Sequence, residues 1–584
     1  LPITVLITLT ASLFMALVFI PVVGGLIGKK PPQSAQDKAT LHAAEKGDPR
    51  DLDGFTGGYI RVLQFAILRP WATLIMAVAF LMAGFGAYGQ FGSGISFFPS
   101  VEPEFAQVQV RARDNFSVFE KDALVRRVEN RLFDYDEIAS VYARSGGSSE
   151  GAADLIGTIQ IEFTEWDTRR TAAEISEDIR ADMATIPGID VQVQTASNGP
   201  SAGKPISLRV RSSDPAAQAT AVESIRATME DIGGFTDVTD TRPLPGVEWQ
   251  ITVNRSEAAR FGADISTLGQ AVRLLTRGIT VADYRPDDAD GSVDINVRFP
   301  SDERTLEELQ SLRVPTSAGL VPISNFVTFQ PSPRSGTITR VDQRRVITIE
   351  ANVEPGVLVN DQVTALQSAI DGMDLPDGVE ASFAGEAEDQ QESMIFLAGA
   401  FITAIFLMFV ILVIQFNSFY QAFVVMSAIV FSIAGVLFGL IVTGRPFGVV
   451  MGGIGVIALA GIVVNNNIVL IDTYNDLKKA GLSPLEAALR TGAQRLRPVV
   501  LTSVTTALGL LPMVIGVNLN FFTREIVYGA PSTQWWTELS SAIAGGLVIA
   551  TVLTLIVTPA MLMLGEKKAR RAQPADRTLS GKPA

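Results

Sequence analysis

Three amides, Asn465, Asn466 and Asn467, stand together in GIVVNNNIVLID (461–472), inside an uncharged run. An unpaired amide in hydrocarbon costs roughly 2–7 kcal/mol. A hydrogen bond between membrane helices recovers only about 0.6–2 kcal/mol. The cluster therefore requires partners or water. Consecutive helix positions lie about 100° apart, so the three amides sweep roughly 200° and cannot all face one neighbour. Ala458, Gly461, Asn465, Ile468 and Asp472 share one face. That face is small with a polar centre, and it is expected to pack against another helix. The next span, RLRPVVLTSVTTALGLLPM (495–513), adds a stripe of Thr502, Thr505, Thr506 and Gly509, with Arg495 and Arg497 at its base. Helix packing suffices for the threonine stripe. For the asparagines, packing stands beside a water-lined or ion-coupled path, because polar residues inside a membrane mark such paths. Positive-inside topology accounts for Arg497, and Arg495 could anchor the base of the span.

The elements that position these residues are membrane spans and one large soluble block. A span needs about 20 apolar residues. Uncharged runs cover 1–28, 70–101, 393–444, 446–471, 498–523 and 539–565, and QFNSFYQ (415–421) breaks the third. Six spans are expected: 1–28, 67–98 and four within 393–565, with a cytoplasmic helix over 473–496. Residues 29–66 and 566–584 are expected as a cytoplasmic connecting segment and tail. Lysines and arginines cluster at Gly28–Lys30, between Lys478 and Arg497, and at Glu566–Arg571. Placing these clusters in the cytoplasm puts 102–392 on the far side.

That block repeats. EFAQVQVRA alternates as a strand, SVFEKDALVRRVENRLF has helical spacing, and IASVYARS, DLIGTIQIEF, TAAEISEDIRADMATI and DVQVQTA complete a βαββαβ order. The pattern returns in two parts, 204–245 and 336–390. An insertion over 246–335 contains VEWQITVN, ISTLGQAVRLLTR and SVDINVRF, which suit a folded subdomain. The fold class is thus a helical transmembrane bundle joined to an α+β domain of ferredoxin-like repeats.

Composition narrows the function. The 584-residue chain carries a net charge of −14, which disfavours nucleic acid. It has no cysteine and a single histidine, His42, so thiolate chemistry, histidine triads and multi-histidine metal sites are not expected. No nucleophile–base pair stands out, so neither enzymatic activity nor a cofactor is expected. Glu386, Glu388 and Asp389 read as a solvated run before a span. The chain opens at Leu1 inside an apolar run without a charged leader region, which reads as the downstream part of a longer protein.

The stretch from Gly461 to Met513 resembles the tenth and eleventh membrane helices of resistance–nodulation–division (RND) efflux pumps of the hydrophobe/amphiphile class. LPITVLITLTASLFMALVFIPVVGGL resembles the sixth helix, FFPSVEPEFAQVQV the exit from the seventh, and TREIVYGAPSTQWWTELSSAIAGGLVIATVLTLIVTPAMLML the twelfth-helix region. The resemblance covers essentially the whole chain. It implies the C-terminal half of a proton-driven multidrug-type exporter in a bacterial inner membrane, with 102–392 as periplasmic porter units and 246–335 as an inserted docking subdomain. It also implies a homotrimer, with a periplasmic adaptor and an outer-membrane channel as partners.

In that family two aspartates on the fourth helix, absent here, carry the proton. A family lysine aligns with Asn465, an arginine with Arg495 and a threonine with Thr502. Asn465, Asn466, Arg495 and Thr502 are thereby expected to support the relay. Asn465 departs in type, since an amide can hydrogen-bond a carboxylate but cannot hold it ionised by charge. Gly146, Gly147, Ser148, Ser149, Glu150 and Gly151 sit where the family carries a substrate-path loop, and a plain polar hairpin is the other reading. The expected cargo is amphiphilic organic compounds. Met183, Met229 and Met373 are the only methionines in 102–392 and lie far apart, which disfavours a soft-metal path. Two rivals are a proton-coupled protein-translocation auxiliary of the same superfamily and a non-transporting receptor with a periplasmic ligand domain.

Overall fold

The computed structural model describes residues 2–27, 47–52, 54–112, 116–146, 154–195, 203–242, 247–285, 291–317, 319–333, 337–520 and 524–572. His42 and the loop positions Gly147, Ser148, Ser149, Glu150 and Gly151 lie outside them. The chain opens with α1 (Pro2–Phe14), a π-helical turn (Met15–Phe19) and α2 (Ile20–Ile27). After these come α3 (Gly54–Leu68) and α4 (Pro70–Phe91). The first soluble unit contains β2 (Phe105–Ala112), α5 (Val118–Leu132), β3 (Ile138–Ser145), β4 (Leu155–Phe163), α6 (Ala172–Met183) and β5 (Ile189–Thr195). It follows β1 (Ile95–Ser96), a two-residue strand at the exit of α4.

Alternation explains this unit. In β2 every second residue is buried, which places Ala106, Val108, Val110 and Ala112 against Val125, Val128, Ile175 and Ile179. The antiparallel sheet runs β3-β4-β2-β5. Ser117 and Thr171 start α5 and α6 as reciprocal capping boxes with Glu120 and Glu174.

The second unit uses β6 (Ile206–Ser212), α7 (Pro215–Ile232), β7 (Phe235–Asp240), β14 (Thr339–Val341), β15 (Arg344–Val353), α11 (Val359–Asp371) and β16 (Glu380–Ala384). Its sheet runs β14-β15-β6-β16, with β7 also on β15. Between β7 and β14 stand β8 (Val247–Val253), α8 (Arg255–Phe261), α9 (Ile265–Thr276), β9 (Ile279–Tyr284), β10 (Val293–Val297), α10 (Leu306–Ser311), β11 (Arg313–Thr316), β12 (Gly319–Pro322) and β13 (Val327–Pro333). They form three two-stranded pairings, and a small core that includes Leu268, Ile323 and Phe326 lies with the β8–β13 and β11–β12 pairs, while β9–β10 is an exposed ribbon.

The bundle continues with α12 (Glu386–Phe416), α13 (Phe419–Thr443), β17 (Phe447–Gly448), α14 (Val449–Lys479), α15 (Pro484–Val514), the hairpin β18 (Val517–Asn520) and β19 (Glu525–Tyr528), and α16 (Pro531–Ala572). Seven helices among the described residues are long and apolar enough to cross a membrane, so the expectation of six is corrected. Five, not four, begin beyond residue 385. The 393–444 run holds two helices because Asn417 adopts a left-handed φ of 50° and Ser418 caps the next. The expected separate helix over 473–496 is likewise redistributed. Residues up to Lys479 finish α14, Gly481 turns the chain at φ 96°, and α15 runs unbroken through Pro498.

Glycines bring two helices of the bundle into close contact. A Cβ on Gly439 would lie 2.8 Å from Gly545 Cα, and one on Gly435 would lie 2.9 Å from Gly545 O. This i, i+4 pair lets α13 and α16 approach backbone to backbone.

Candidate relay site in the helix bundle

The asparagines split between two faces of α14. Asn466 (8% exposed) and Asn467 (0%) turn inward, whereas Asn465 is exposed. Asn466 Nδ2 donates to Ser503 Oγ on α15 at 3.4 Å. Ser503 Oγ in turn accepts from Thr551 Oγ1 on α16 at 2.7 Å. One turn away, Thr558 Oγ1 donates to Asn467 Oδ1 at 2.7 Å. Neutral groups thus tie three helices together. Thr551 Oγ1 also lies 2.6 Å from Leu547 O of its own helix, so its single proton is shared between the two acceptors.

The remaining expected residues sit at the margin of this network. Arg495 Nε donates to Thr473 Oγ1 at 2.7 Å, and the arginine forms no ion pair among the described residues. Thr502 is exposed, and its hydroxyl donates to Val499 O of its own helix at 2.9 Å. The expected packing face of α14 is uncovered within this chain: Ala458, Gly461, Asn465 and Asp472 are all exposed, and a Cβ on Gly461 would meet nothing within 4 Å. The helix packs through the opposite side, using Val463, Asn467, Leu470 and Tyr474. The reading from sequence also missed Ser503, Thr551 and Thr558. The spacing of Thr551, Thr554 and Thr558 at i, i+3 and i+7 was the available signal.

A second buried polar centre lies between the two sheets. Lys204, just before β6, is buried. Its Nζ donates to Gln192 Oε1 of β5 at 3.0 Å, to Thr239 Oγ1 of β7 at 2.8 Å and to the Asp237 carbonyl. Burial pushes its pKa down to about 8, opposed by the Asp237 carboxylate. Asp237 holds a φ of 52° and pairs with Arg180 of α6 at 3.3 Å, while Asn352 donates to the same oxygen at 2.9 Å. Two cations, Lys204 and Arg180, and one carboxylate, Asp237, thus bridge the units. Of the expected substrate-path loop only Gly146 is described. Its N–H donates to Ile156 O at 2.9 Å, and its φ of 106° ends β3.

A family model described as AcrB/AcrD/AcrF matches residues 1–566. The chain belongs to this family. It is similar to the cobalt-zinc-cadmium resistance protein CzcA of Cupriavidus metallidurans, with 26% identity over 598 residues, 98% of this chain and 53% of CzcA. It is equally similar to the swarming motility protein SwrC of Bacillus subtilis, with 26% identity over 95% of this chain and 51% of SwrC. Its fold matches a crystal structure of a heavy metal efflux pump at a TM-score of 0.73 and 22% identity, covering 87% of this chain and 51% of that one. The chain spans about half the length of the curated relatives it matches. As a member of the AcrB/AcrD/AcrF family it is a multi-pass inner-membrane protein with a large periplasmic domain. The sheets therefore mark the periplasmic end of the bundle.

Proposed function

We propose that this chain is the C-terminal half of a proton-driven RND export permease and supplies the neutral side of its proton relay. One observation carries the reading. On a chain spanning half of its relatives, Asn465 and Thr502 are exposed on helices whose other faces bury an amide–hydroxyl network. An exposed amide on a membrane helix needs a polar partner. The other half of the permease would provide it, with carboxylates facing Asn465, Thr502 and the guanidinium of Arg495, which has no ion-pair partner among the described residues. Asn466 then acts by positioning α14 through Ser503. The two sheet units would move substrate between them, with the 247–333 insertion as the docking element of a homotrimer that engages an adaptor and an outer-membrane channel.

The chain's own residues favour amphiphilic organic cargo. The 102–392 block contains no histidine or cysteine. No group of three or more metal-ligating side chains occurs among the described residues. A second reading, export of divalent cations, is favoured by the names of CzcA and of the nickel and cobalt resistance protein CnrA, 23% identical. Proteoliposomes of the full-length protein would separate the two, since only the first reading predicts gradient-driven movement of an amphiphilic dye without that of cobalt or zinc. For the relay itself, Thr502→Ala and Arg495→Ala should each lower export while the trimer persists. Unchanged export in both would sink the assignment.

A further inference from the structure

Glu538 lies in the second turn of α16, beyond the first-turn positions where a carboxylate would cap the helix. It is 4% exposed. Its Oε1 accepts a long hydrogen bond from Ser96 Oγ at 3.4 Å, and its Oε2 has no partner among the described residues. Gly448 walls the site, since a Cβ there would lie 2.0 Å from Oε2. Phe98 and Trp535 stack edge to face beside it, with ring centroids 6.2 Å apart.

The ionisable groups acting on the carboxyl are Arg445, from the α13–β17 connection, and Tyr88 of α4. Tyr88 is committed to Gly94 O at 2.7 Å. Arg445 makes no ion pair with Glu538 among the described residues, and its own Nε is buried without a partner. A desolvated carboxylate with one weak donor and no bonded cation is a costly species, and binding a proton removes that cost.

We propose that Glu538 is a proton-binding site at the periplasmic end of the bundle. The proton comes from periplasmic water and converts the carboxylate to the neutral acid, so one negative charge is lost and no bond other than O–H forms. The site stands where the bundle meets both porter units. Ser96 belongs to β1, which pairs in parallel with β17 through Ile95–Phe447 and Ser96–Gly448. Gly94, immediately before β1, backs onto Leu358 at the start of α11, where a Cβ would approach Leu358 Cδ1 to 2.4 Å. One turn before Glu538, Gln534 Oε1 accepts from the Glu102 backbone N–H at 2.8 Å, tying α16 to the first unit. A change of charge at Glu538 therefore acts on the strand pair and helix end that carry both units.

The inference deepens the export reading and rests on it for what the proton drives, but its test needs no cargo. Infrared difference spectra of the full-length protein in nanodiscs, recorded across a pH series, should show a buried carboxylic-acid band that Glu538→Gln abolishes. Arg445→Gln should move the midpoint of that band to higher pH, because it removes the nearest cation. Ser96→Ala should do the same by removing the one donor, and it serves if Glu538→Gln does not fold. Spectra unchanged in Glu538→Gln, or midpoints unmoved in both Arg445→Gln and Ser96→Ala, would overturn the proposal. Export by the Thr502 and Arg495 variants decides the relay reading separately.

Discussion

Two buried polar centres of this molecule are built from opposite materials. Between α14, α15 and α16 the paired side chains are neutral: Asn466, Ser503, Thr551, Asn467 and Thr558. Between the two sheets the centre is ionic, with Lys204, Arg180 and Asp237. The surroundings account for the choice. Hydrocarbon gives a charge nothing to fall back on, whereas in the proposed export cycle the two sheet units would separate and open onto water, where freed charges are resolvated. A neutral network thus suits a seam that stays shut, and an ionic one suits a seam that opens. Glu538 tests the rule at the border between the regions.

The largest predicted effect comes from moving charge into the neutral centre. Asn467→Asp places a carboxylate at a fully buried position whose bonded neighbour, Thr558, is neutral. It should lower stability by about 3–5 kcal/mol at neutral pH. A thermal melt of the purified protein would read this as a large fall in midpoint, partly restored as acid protonates the new group. The converse change, Asp237→Asn, removes the Arg180 ion pair and should cost about 1.5–3 kcal/mol. Its effect should concentrate in the porter region, which hydrogen exchange would show as faster exchange in β5 and β7 with the bundle unchanged.

Lys204 sharpens the contrast through pH. Its pKa lies near 8 in the folded state, against an ordinary 10.5. Between those values the unfolded chain binds more protons than the folded one, so stability rises with pH across that window. Lys204→Met should flatten this part of the pH–stability profile relative to the parent. Thr558→Val gives the smallest expected effect, a loss of about 0.6–1.7 kcal/mol from one bundle hydrogen bond, measurable by thermal melt. A loss as large as that of Asn467→Asp would break the distinction between neutral and charged centres.

Much of the architecture was legible in the chain. Alternation in β2 and the helical spacing of α5 and α6 gave the sheet units, because each strand buries one face. Hydropathy found the apolar runs, but a run long enough for two helices reveals its break only through local capping, here at Asn417 and Ser418. The residues proposed for the relay were chosen by type, and the sequence left their orientation open. Asn465 and Thr502 lie on small, polar faces that suit packing, yet within this chain those faces are open, since periodicity defines a face without saying which helix covers it. The Lys204 and Glu538 centres were not legible, because each joins residues dozens to hundreds of positions apart whose neighbourhood exists only after the sheets and bundle assemble.

The central claim is that the open face of α14 and α15 is internal to the complete permease. This cysteine-free chain makes the measurement direct. Single Asn465→Cys, Thr502→Cys and Val504→Cys variants of the full-length protein, on an otherwise cysteine-free background, would be exposed to a membrane-dissolved maleimide. Val504 is exposed on α15, about 200° around the helix from Thr502, and serves as the reference. The account predicts labelling of the Val504 variant with strong protection of the other two. Labelling of the Asn465 and Thr502 variants as fast as that of the reference would contradict it.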